Sequence, residues 1–157
     1  MHILIATDAQ WVLDEVQAAL GSPSTTIQVV TNGRLVAPAV AERTPDIAIL
    51  DLQVGSMGGM AITMDLRLDY SSGALPHIPV LMLLDRTADV HMARRSGADG
   101  WIIKPLDALR LRKAVTAIAG GGCYAEGIPV PPEEVAEEVV TEITAEATDE
   151  SPVETLA

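Results

Sequence analysis

Five short apolar runs recur along the first 120 residues, and a longer segment with helical periodicity follows each of them. The runs span residues 3–6, 27–30, 47–50, 79–84 and 100–103. The helical segments span about residues 9–20, 34–43, 60–70, 87–96 and 107–119. Strands that alternate with helices are typical of a parallel sheet covered by helices on both faces. The pattern therefore predicts an α/β fold built from five β-α units.

Two of the helical segments carry clear amphipathic stripes. In the first, the stripe consists of Trp11, Val12, Glu15, Val16, Ala19 and Leu20, and Gly21 ends the segment. In the last, it consists of Leu109, Leu111, Val115 and Ile118. The stripes therefore predict amphipathic helices over these segments.

The third apolar run lies between Pro45 and a glycine-bearing loop at Gly55. It ends in a carboxylate, Asp51. A run this apolar indicates a strand that is buried on both faces, and such a strand has little structural use for a charge at its end. Asp8 follows the first run and Lys104 follows the fifth. Because ligands bind at the carboxyl ends of strands in open α/β sheets, the three side chains are expected to meet there. Two carboxylates suit Mg²⁺, and a nearby ammonium suits a phosphoryl oxygen.

Chain length and cysteine content limit the number of domains and the possible disulfides. A chain of 157 residues fits one domain, and the single cysteine, Cys123, excludes an internal disulfide. The three histidines, His2, His77 and His91, have no metal-ligand spacing. The first residues have neither the basic region of a signal peptide nor the length of a membrane span. The expectation is a cytoplasmic protein that does not bind membranes.

The net charge of −12 is unevenly distributed. Ten of the 22 acidic residues lie from Glu126 onward, where there is no Lys or Arg, so the preceding part has a net charge of only −2. We expect one domain over residues 1–120 and an acidic tail over residues 121–157, with little packing beyond about residue 124. Pro and Glu at 131–134, followed by Val135, Val139, Val140 and Ile143, suit an amphipathic helix. Unbroken like charge favours a flexible, solvated segment equally well.

Taken together, these motifs resemble the receiver domain of bacterial two-component response regulators over residues 2–120. The resemblance rests on "HILIATD", "PDIAILDLQVGSMGGM", "IPVLMLLD" and "GADGWIIKPLD", which occur in this order and at the family's spacing. It implies a flavodoxin-like, doubly wound, five-stranded parallel sheet in the order 2-1-3-4-5 with helices on both faces.

The resemblance also implies a role for each matching residue. Asp51 matches the phospho-acceptor, and Lys104 matches the lysine that pairs with the phosphoryl group. Asp8, Asp51 and the backbone carbonyl of Gln53 match the ligands of Mg²⁺. Pro105 matches a proline that follows a cis peptide bond, and Gly59 matches the glycine that closes the loop after the acceptor strand.

Each residue also has an ordinary explanation when it is taken alone. Asp8 precedes a helix and suits an N-cap, Lys104 suits a surface lysine, and Pro105 suits the first residue of a helix. The glycines at 55, 58 and 59 form no phosphate-binding loop, because no Gly-Lys-Ser/Thr follows. The combination in this order favours a receiver site.

The sequence departs from the family at several site positions. Thr7 replaces one of two acidic residues, so we expect weak Mg²⁺ binding. Leu84 replaces the Ser or Thr whose hydroxyl bonds the phosphoryl group, and a leucine cannot make that bond. The next residue, usually small, is Asp85, whose charge would repel a phosphoryl group. Gly55 replaces a loop proline. Trp101 occupies the position of the switch aromatic, where packing against Leu84 and a switching role are both open.

The functional prediction is an atypical single-domain response regulator that carries out no chemistry beyond phosphorylation and autodephosphorylation at Asp51. Its partners would be a histidine kinase or phosphotransfer protein and an unidentified downstream protein. A homodimer through residues 87–119 is a further expectation, and the acidic tail argues against nucleic acid. The alternative is a pseudo-receiver that binds its partner without phosphorylation. A dehalogenase-like phosphatase is disfavoured, because it needs a second aspartate at the position of Gln53.

Overall fold

The computed structural model describes residues 1–127, which belong to a single unit, Met1–Gly127. The strands are β1 (His2–Ala6), β2 (Thr26–Val30), β3 (Ile47–Asp51), β4 (Val80–Leu84), β5 (Gly100–Ile103) and β6 (Tyr124–Ala125). The helices are α1 (Gln10–Leu20), α2 (Val36–Glu42), α3 (Gly59–Ser72), α4 (Val90–Ser96) and α5 (Ala108–Ala119). Short 3₁₀ turns at Gly33–Leu35 and Thr87–Asp89 lead into α2 and α4. Among residues 1–127, no helix has both the length and the apolar character needed to cross a bilayer.

The strands form a single sheet in the order β2-β1-β3-β4-β5-β6, and every neighbouring pair is parallel. The predicted α/β class and the order 2-1-3-4-5 are confirmed. Strands β1, β3 and β4 are buried at every position, which explains why their sequences are continuous apolar runs rather than alternating ones.

Helices cover both faces of the sheet. On one face, α1 and α5 pack on a core that includes Ile5, Ile49 and Leu83. On the other, α2 and α3 pack on a core that includes Leu4 and Leu50, and α4 packs on a smaller cluster around Leu84. These two layers fix the carboxyl ends of β1, β3 and β5 along the same edge of the sheet.

The sheet has one strand more than expected. Tyr124 and Ala125 pair with Gly100 and Trp101 as a parallel sixth strand, which lies beyond the expected domain boundary at residue 120. The bend at Gly121, where φ is 87°, returns the chain toward β5 after α5. Residues 121–127 therefore belong to the compact unit, contrary to the expectation that they begin an acidic tail. The rest of that tail, including its proposed helix at Val135–Ile143, lies outside the described residues.

Two of the predicted helix stripes need correction. Trp11 is 50% exposed and Leu109 is 60% exposed, so neither belongs to the core. The buried residues of α1 are Val12, Val16, Ala19 and Leu20. Those of α5 are Leu111, Ala114, Val115 and Ile118. The i, i+4 pattern found the correct helices but included residues that lie outside the buried face.

Candidate functional site

Asp51 ends β3 and is only 2% exposed. Its Oδ1 accepts a hydrogen bond from the Lys104 ammonium at 2.8 Å and another from the backbone N–H of Gln53 at 3.2 Å. Its Oδ2 accepts from the hydroxyl of Thr7 at 2.9 Å. A buried carboxylate needs such partners, and here both oxygens have them. The ends of β1, β3 and β5 thus converge on one charged group.

Lys104 lies between two carboxylates. Its Nζ is 2.8 Å from Asp51 Oδ1 and 3.0 Å from Asp85 Oδ1. Burial lowers the pKa of Lys104, but the hydrogen bonds to Asp51 and Asp85 raise it by more, so this pKa stays above its ordinary value. The Lys104 side chain is 10% exposed, whereas that of Asp85 is 38% exposed. The ammonium is therefore charged at neutral pH and shared between a buried partner and a solvated one.

Trp11, at the start of α1, places its ring near this ammonium. Its ring centroid lies 5.5 Å from Lys104 Nζ, within the range of a cation–π contact. The exposure of Trp11 thus has a local explanation, because its ring packs on the site rather than on the core.

Asp8 lies on the solvent-exposed side of the site. Its Oδ2 accepts a hydrogen bond from the backbone N–H of Gly55 at 3.2 Å. The N-cap of α1 is Ala9, which has no side-chain cap bond, so Asp8 does not have the N-cap role considered from the sequence. A proline at position 55 would have no N–H to offer. The departure from proline at this position therefore gives Asp8 its partner.

The donor set is suited to a hydrated magnesium ion. Mg²⁺ keeps several waters and is usually bound by one or two carboxylates, and Asp8 and Asp51 are the two available here. Within residues 1–127, no group of three or more His, Cys, Asp or Glu side chains could hold a metal. The hydroxyl of Thr7 stands where the family has an acid, and it donates to Asp51 rather than adding a negative charge.

The loop after Asp51 is closed by a tight contact at Gly59, the first residue of α3. A Cβ built at Gly59 would lie 2.8 Å from the carbonyl oxygen of Asp51, closer than real Cβ atoms approach. Only glycine allows α3 to begin this close to the end of β3. On the other side of the site, the Lys104–Pro105 peptide bond is cis, and α5 begins after its N-cap, Asp107, rather than at Pro105.

Leu84 ends β4 and is fully buried together with Leu52, Met82 and Ala93. Trp101 is partly buried and packs against the same cluster. The indole N–H of Trp101 also donates to the backbone carbonyl of Glu126 at 2.7 Å. In this structure the aromatic side chain is held from two sides, by apolar packing and by a hydrogen bond from the segment that follows α5.

Three contributions to the site were missed or misjudged from the sequence. Thr7 was expected only to remove a carboxylate, but it supplies a hydrogen bond to Asp51. The contact of Asp85 with Lys104 was not foreseen, and the expected repulsion between Asp85 and a phosphoryl group stays a prediction. Trp11 was placed only on the amphipathic stripe of the first helix, whereas its ring lies 5.5 Å from the Lys104 ammonium. The position of Trp11 in the sequence could have indicated this role. It follows closely after Thr7 and Asp8, at the carboxyl end of the first strand, where ligands bind in such sheets.

Comparison with known proteins identifies the family. The profile of the response regulator receiver domain matches residues 3–116. The chain belongs to this family, and the resemblance found in the sequence is confirmed. Receiver domains are phospho-acceptor signalling domains of two-component systems that bind Mg²⁺ and interact with histidine kinases and phosphotransfer proteins.

Among curated relatives, the heme response regulator HssR of Staphylococcus epidermidis is 30% identical over 120 residues, covering 75% of this chain and 51% of the relative. The DNA-binding response regulator MtrA of Mycobacterium leprae is 32% identical over 118 residues, covering 74% of this chain and 50% of the relative. The chain thus spans about half the length of these relatives. The receiver domain of a signal transduction histidine kinase from Syntrophus aciditrophicus superposes with a TM-score of 0.67 at 27% identity, covering 82% of this chain and 97% of that one.

Proposed function

We propose that Asp51 is the phospho-acceptor of this receiver and that Lys104 pairs with the phosphoryl group. The observation that carries the proposal is the contact of 2.8 Å between the Lys104 ammonium and Oδ1 of a carboxylate that is 2% exposed. A buried, charge-paired carboxylate at the carboxyl edge of a parallel sheet is poised for use as a nucleophile.

The proposed step is an in-line phosphoryl transfer. A carboxylate oxygen of Asp51 forms a bond to phosphorus while the bond from phosphorus to the donor breaks. The leaving group is an imidazole nitrogen when the donor is a phosphohistidine, and acetate when the donor is acetyl phosphate. Lys104 is placed to neutralise the charge of the transferred group, which is the main catalytic contribution a protein makes to this reaction. Hydrolysis by water then returns the carboxylate and releases inorganic phosphate.

Asp8, Asp51 and the backbone carbonyl of Gln53 would hold Mg²⁺ at this edge. When bound, the ion neutralises negative charge on the phosphoryl oxygens. With Thr7 in place of a third carboxylate, we propose that its affinity for the site is low. The chain's own residues orient the acceptor, because Thr7 and the Gln53 amide each bond one of its two oxygens.

We further propose that the protein receives its phosphoryl group from a histidine kinase or phosphotransfer protein and acts by binding a downstream protein. A phosphorylation-independent binding module is the alternative. One observation favours it: Lys104 already has a second carboxylate, Asp85, at 3.0 Å, which competes with a phosphoryl group for the ammonium. Leu84 also favours the binding module, because it has no hydroxyl with which to bond a phosphoryl oxygen.

Intact-mass measurement after incubation with acetyl phosphate and Mg²⁺ tests the proposal. We expect one added phosphoryl group in the wild type and none in Asp51→Asn. Asp46→Asn is a matched control, since Asp46 precedes the same strand at its amino end, where its carboxylate accepts from the His2 amide. An adduct that persists in Asp51→Asn would refute the assignment. The absence of any adduct with acetyl phosphate or a phosphorylated phosphotransfer protein would establish the binding-module alternative.

A further inference from the structure

The segment after α5 makes a dense set of polar contacts with the outer edge of β5. We call residues 124–127 the latch. Glu126 is its centre: its carboxylate accepts from the backbone N–H of Ile103 at 3.0 Å and from Nε of Arg110 at 2.7 Å, and Nη2 of Arg110 bonds it as well. The hydroxyl of Tyr124 donates to the same carboxylate at 3.2 Å.

These contacts satisfy polar groups that an edge strand would otherwise present to solvent. The amide of Ile103 is bonded by Glu126, and the carbonyl of Ile103 accepts from Nη2 of Arg110 at 2.8 Å. Unpaired edge groups are the usual attachment point for an added strand. Here a carboxylate and a guanidinium occupy the places that a neighbouring strand's carbonyl and amide would take.

The edge of β5 is shaped to receive this segment. A Cβ built on Gly100 would lie 2.4 Å from the carbonyl oxygen of Tyr124, so glycine is needed for the latch to approach so closely. At the other end, a Cβ built on Gly127 would lie 3.3 Å from Cγ2 of Val90, at the start of α4. The latch thus contacts β5 and α5 and ends next to α4, so it covers part of the residue 87–119 surface expected to be used for docking.

We propose that the edge of β5, together with Arg110 and the indole N–H of Trp101, is a binding site for an extended segment that carries a carboxylate, and that the latch occupies this site in cis. The ligand class is an acidic peptide in strand conformation, which adds to the sheet edge by backbone pairing while its carboxylate bonds Arg110. A partner protein that uses this edge must displace the latch. The proposal does not depend on phosphorylation of Asp51.

Charge reversal at the centre of the latch provides the first test. In the Glu126→Lys variant of the 157-residue chain, the lysine would face Arg110, so the latch should leave the edge. We expect amide hydrogen exchange at Ile103 to accelerate at least tenfold and the indole N–H signal of Trp101 to shift. The amide of Lys104 bonds the carbonyl of Leu84 inside the sheet, so its exchange should stay constant. Glu42→Lys, which makes the same charge change at the exposed end of α2, should leave all three signals unchanged.

A peptide supplied in trans provides the second test. Capped Ser-Tyr-Ala-Glu-Gly, added to the same Glu126→Lys chain, should restore protection at Ile103 and return the indole signal toward its wild-type position. A short covalent linker gives an effective concentration on the order of millimolar, so the peptide is used at several millimolar. The same peptide with Gln in place of Glu should bind at least fivefold more weakly, and wild type should bind neither.

Two results would overturn the proposal. Unchanged exchange at Ile103 in Glu126→Lys would mean that the latch does not depend on the carboxylate. Equal effects of the Glu and Gln peptides, or no effect of either, would mean that β5 has no site for an acidic segment and that the latch only caps the sheet.

Discussion

The hydroxyl of Thr7 lies 2.9 Å from Oδ2 of Asp51, in the place where the family carries a second acidic side chain. The same hydroxyl oxygen accepts from the backbone N–H of Ala9 at 3.2 Å, so its proton is directed to Asp51. Thr7 is 2% exposed and cannot exchange this partner for water without local opening. Threonine in place of the family's acidic residue therefore lowers the negative charge of the site. It also fixes the orientation of the acceptor, Asp51.

Returning an acid to this position should change metal binding. In Thr7→Asp, a third carboxylate beside Asp8 and Asp51 should raise Mg²⁺ affinity about tenfold, which corresponds to about 1.4 kcal/mol. Without Mg²⁺, the added buried charge should lower the free energy of unfolding by about 1–3 kcal/mol. Calorimetric titration with Mg²⁺ and urea unfolding measure the two effects. Thr7→Asn is the uncharged control, and equal Mg²⁺ affinity in both variants would contradict the prediction.

Removing the second partner of Lys104 should favour phosphorylation. In Asp85→Ala the ammonium is no longer shared, and one negative charge near the incoming phosphoryl group is lost. We expect the rate of phosphorylation of Asp51 by acetyl phosphate to rise about threefold to tenfold, equivalent to about 0.7–1.4 kcal/mol in the barrier. Time-resolved intact mass measures this rate. Glu42→Ala removes the same charge from the far end of α2 and should have no effect; a matching increase there would mean that net charge alone controls the rate.

Leu84 can be tested with a pair of β-branched substitutions of similar shape. Leu84→Thr and Leu84→Val remove similar apolar volume from a fully buried position, but only Thr buries a hydroxyl. We expect the free energy of unfolding in urea to be about 1–2 kcal/mol lower for Leu84→Thr than for Leu84→Val. With beryllofluoride and Mg²⁺, that difference should shrink by about 0.5–1.5 kcal/mol, because the hydroxyl then gains an acceptor. A difference that stays constant would show that position 84 does not reach the phosphoryl group.

His2 offers a stabilising substitution away from the site. Its side chain is buried, and neither ring nitrogen has a hydrogen-bond partner among residues 1–127. His2→Leu should raise the free energy of unfolding by about 1–2 kcal/mol, since it replaces unsatisfied polar atoms with apolar ones of similar volume. His77 is the comparison: its side chain is 43% exposed and pairs with Asp99, so His77→Leu should bring no gain. Urea unfolding with an unchanged m-value measures both variants, and a loss of stability in His2→Leu would contradict the prediction.

The latch should open in acid. Burial raises the pKa of Glu126, but the hydrogen bonds from Arg110 and the Ile103 amide lower it by more, so the pKa is below its ordinary value. A lowered folded-state pKa means that the latch is fully stabilised above the unfolded-state pKa of about 4.3 and loses this stabilisation as the pH falls through the folded-state pKa. The indole N–H signal of Trp101, followed from about pH 6 to pH 3, should shift below about pH 4.3.

Glu126→Gln is the control for this titration. It has no carboxylate to protonate, so its indole signal should not show the step. The same acid-induced step in Glu126→Gln would assign the change to another acidic residue and contradict the prediction.

The strand order 2-1-3-4-5 followed from the resemblance to receiver domains. The order of apolar runs determined the fold class and the positions of Asp8, Asp51 and Lys104 at strand ends. Those features could be predicted because buried parallel strands must be continuously apolar, and because right-handed β-α units place strand ends on one edge. The boundaries of the strands and helices were also predicted closely, because Gly21 and the site residues mark where the apolar periodicity stops.

Contacts between distant parts of the chain were decided only by the tertiary structure. Three such contacts are the bond from Thr7 to Asp51, the division of Lys104 between Asp51 and Asp85, and the position of Trp11 over Lys104. Each joins side chains from separate elements, so it depends on how those elements pack. The sixth strand has only two residues, too few to give a periodic signal, and Glu126 was indistinguishable by charge from the nine acidic residues that follow it. Its role depends on Arg110 and on the free edge of β5, which come together only when α5 packs against the sheet and the chain turns back beside it.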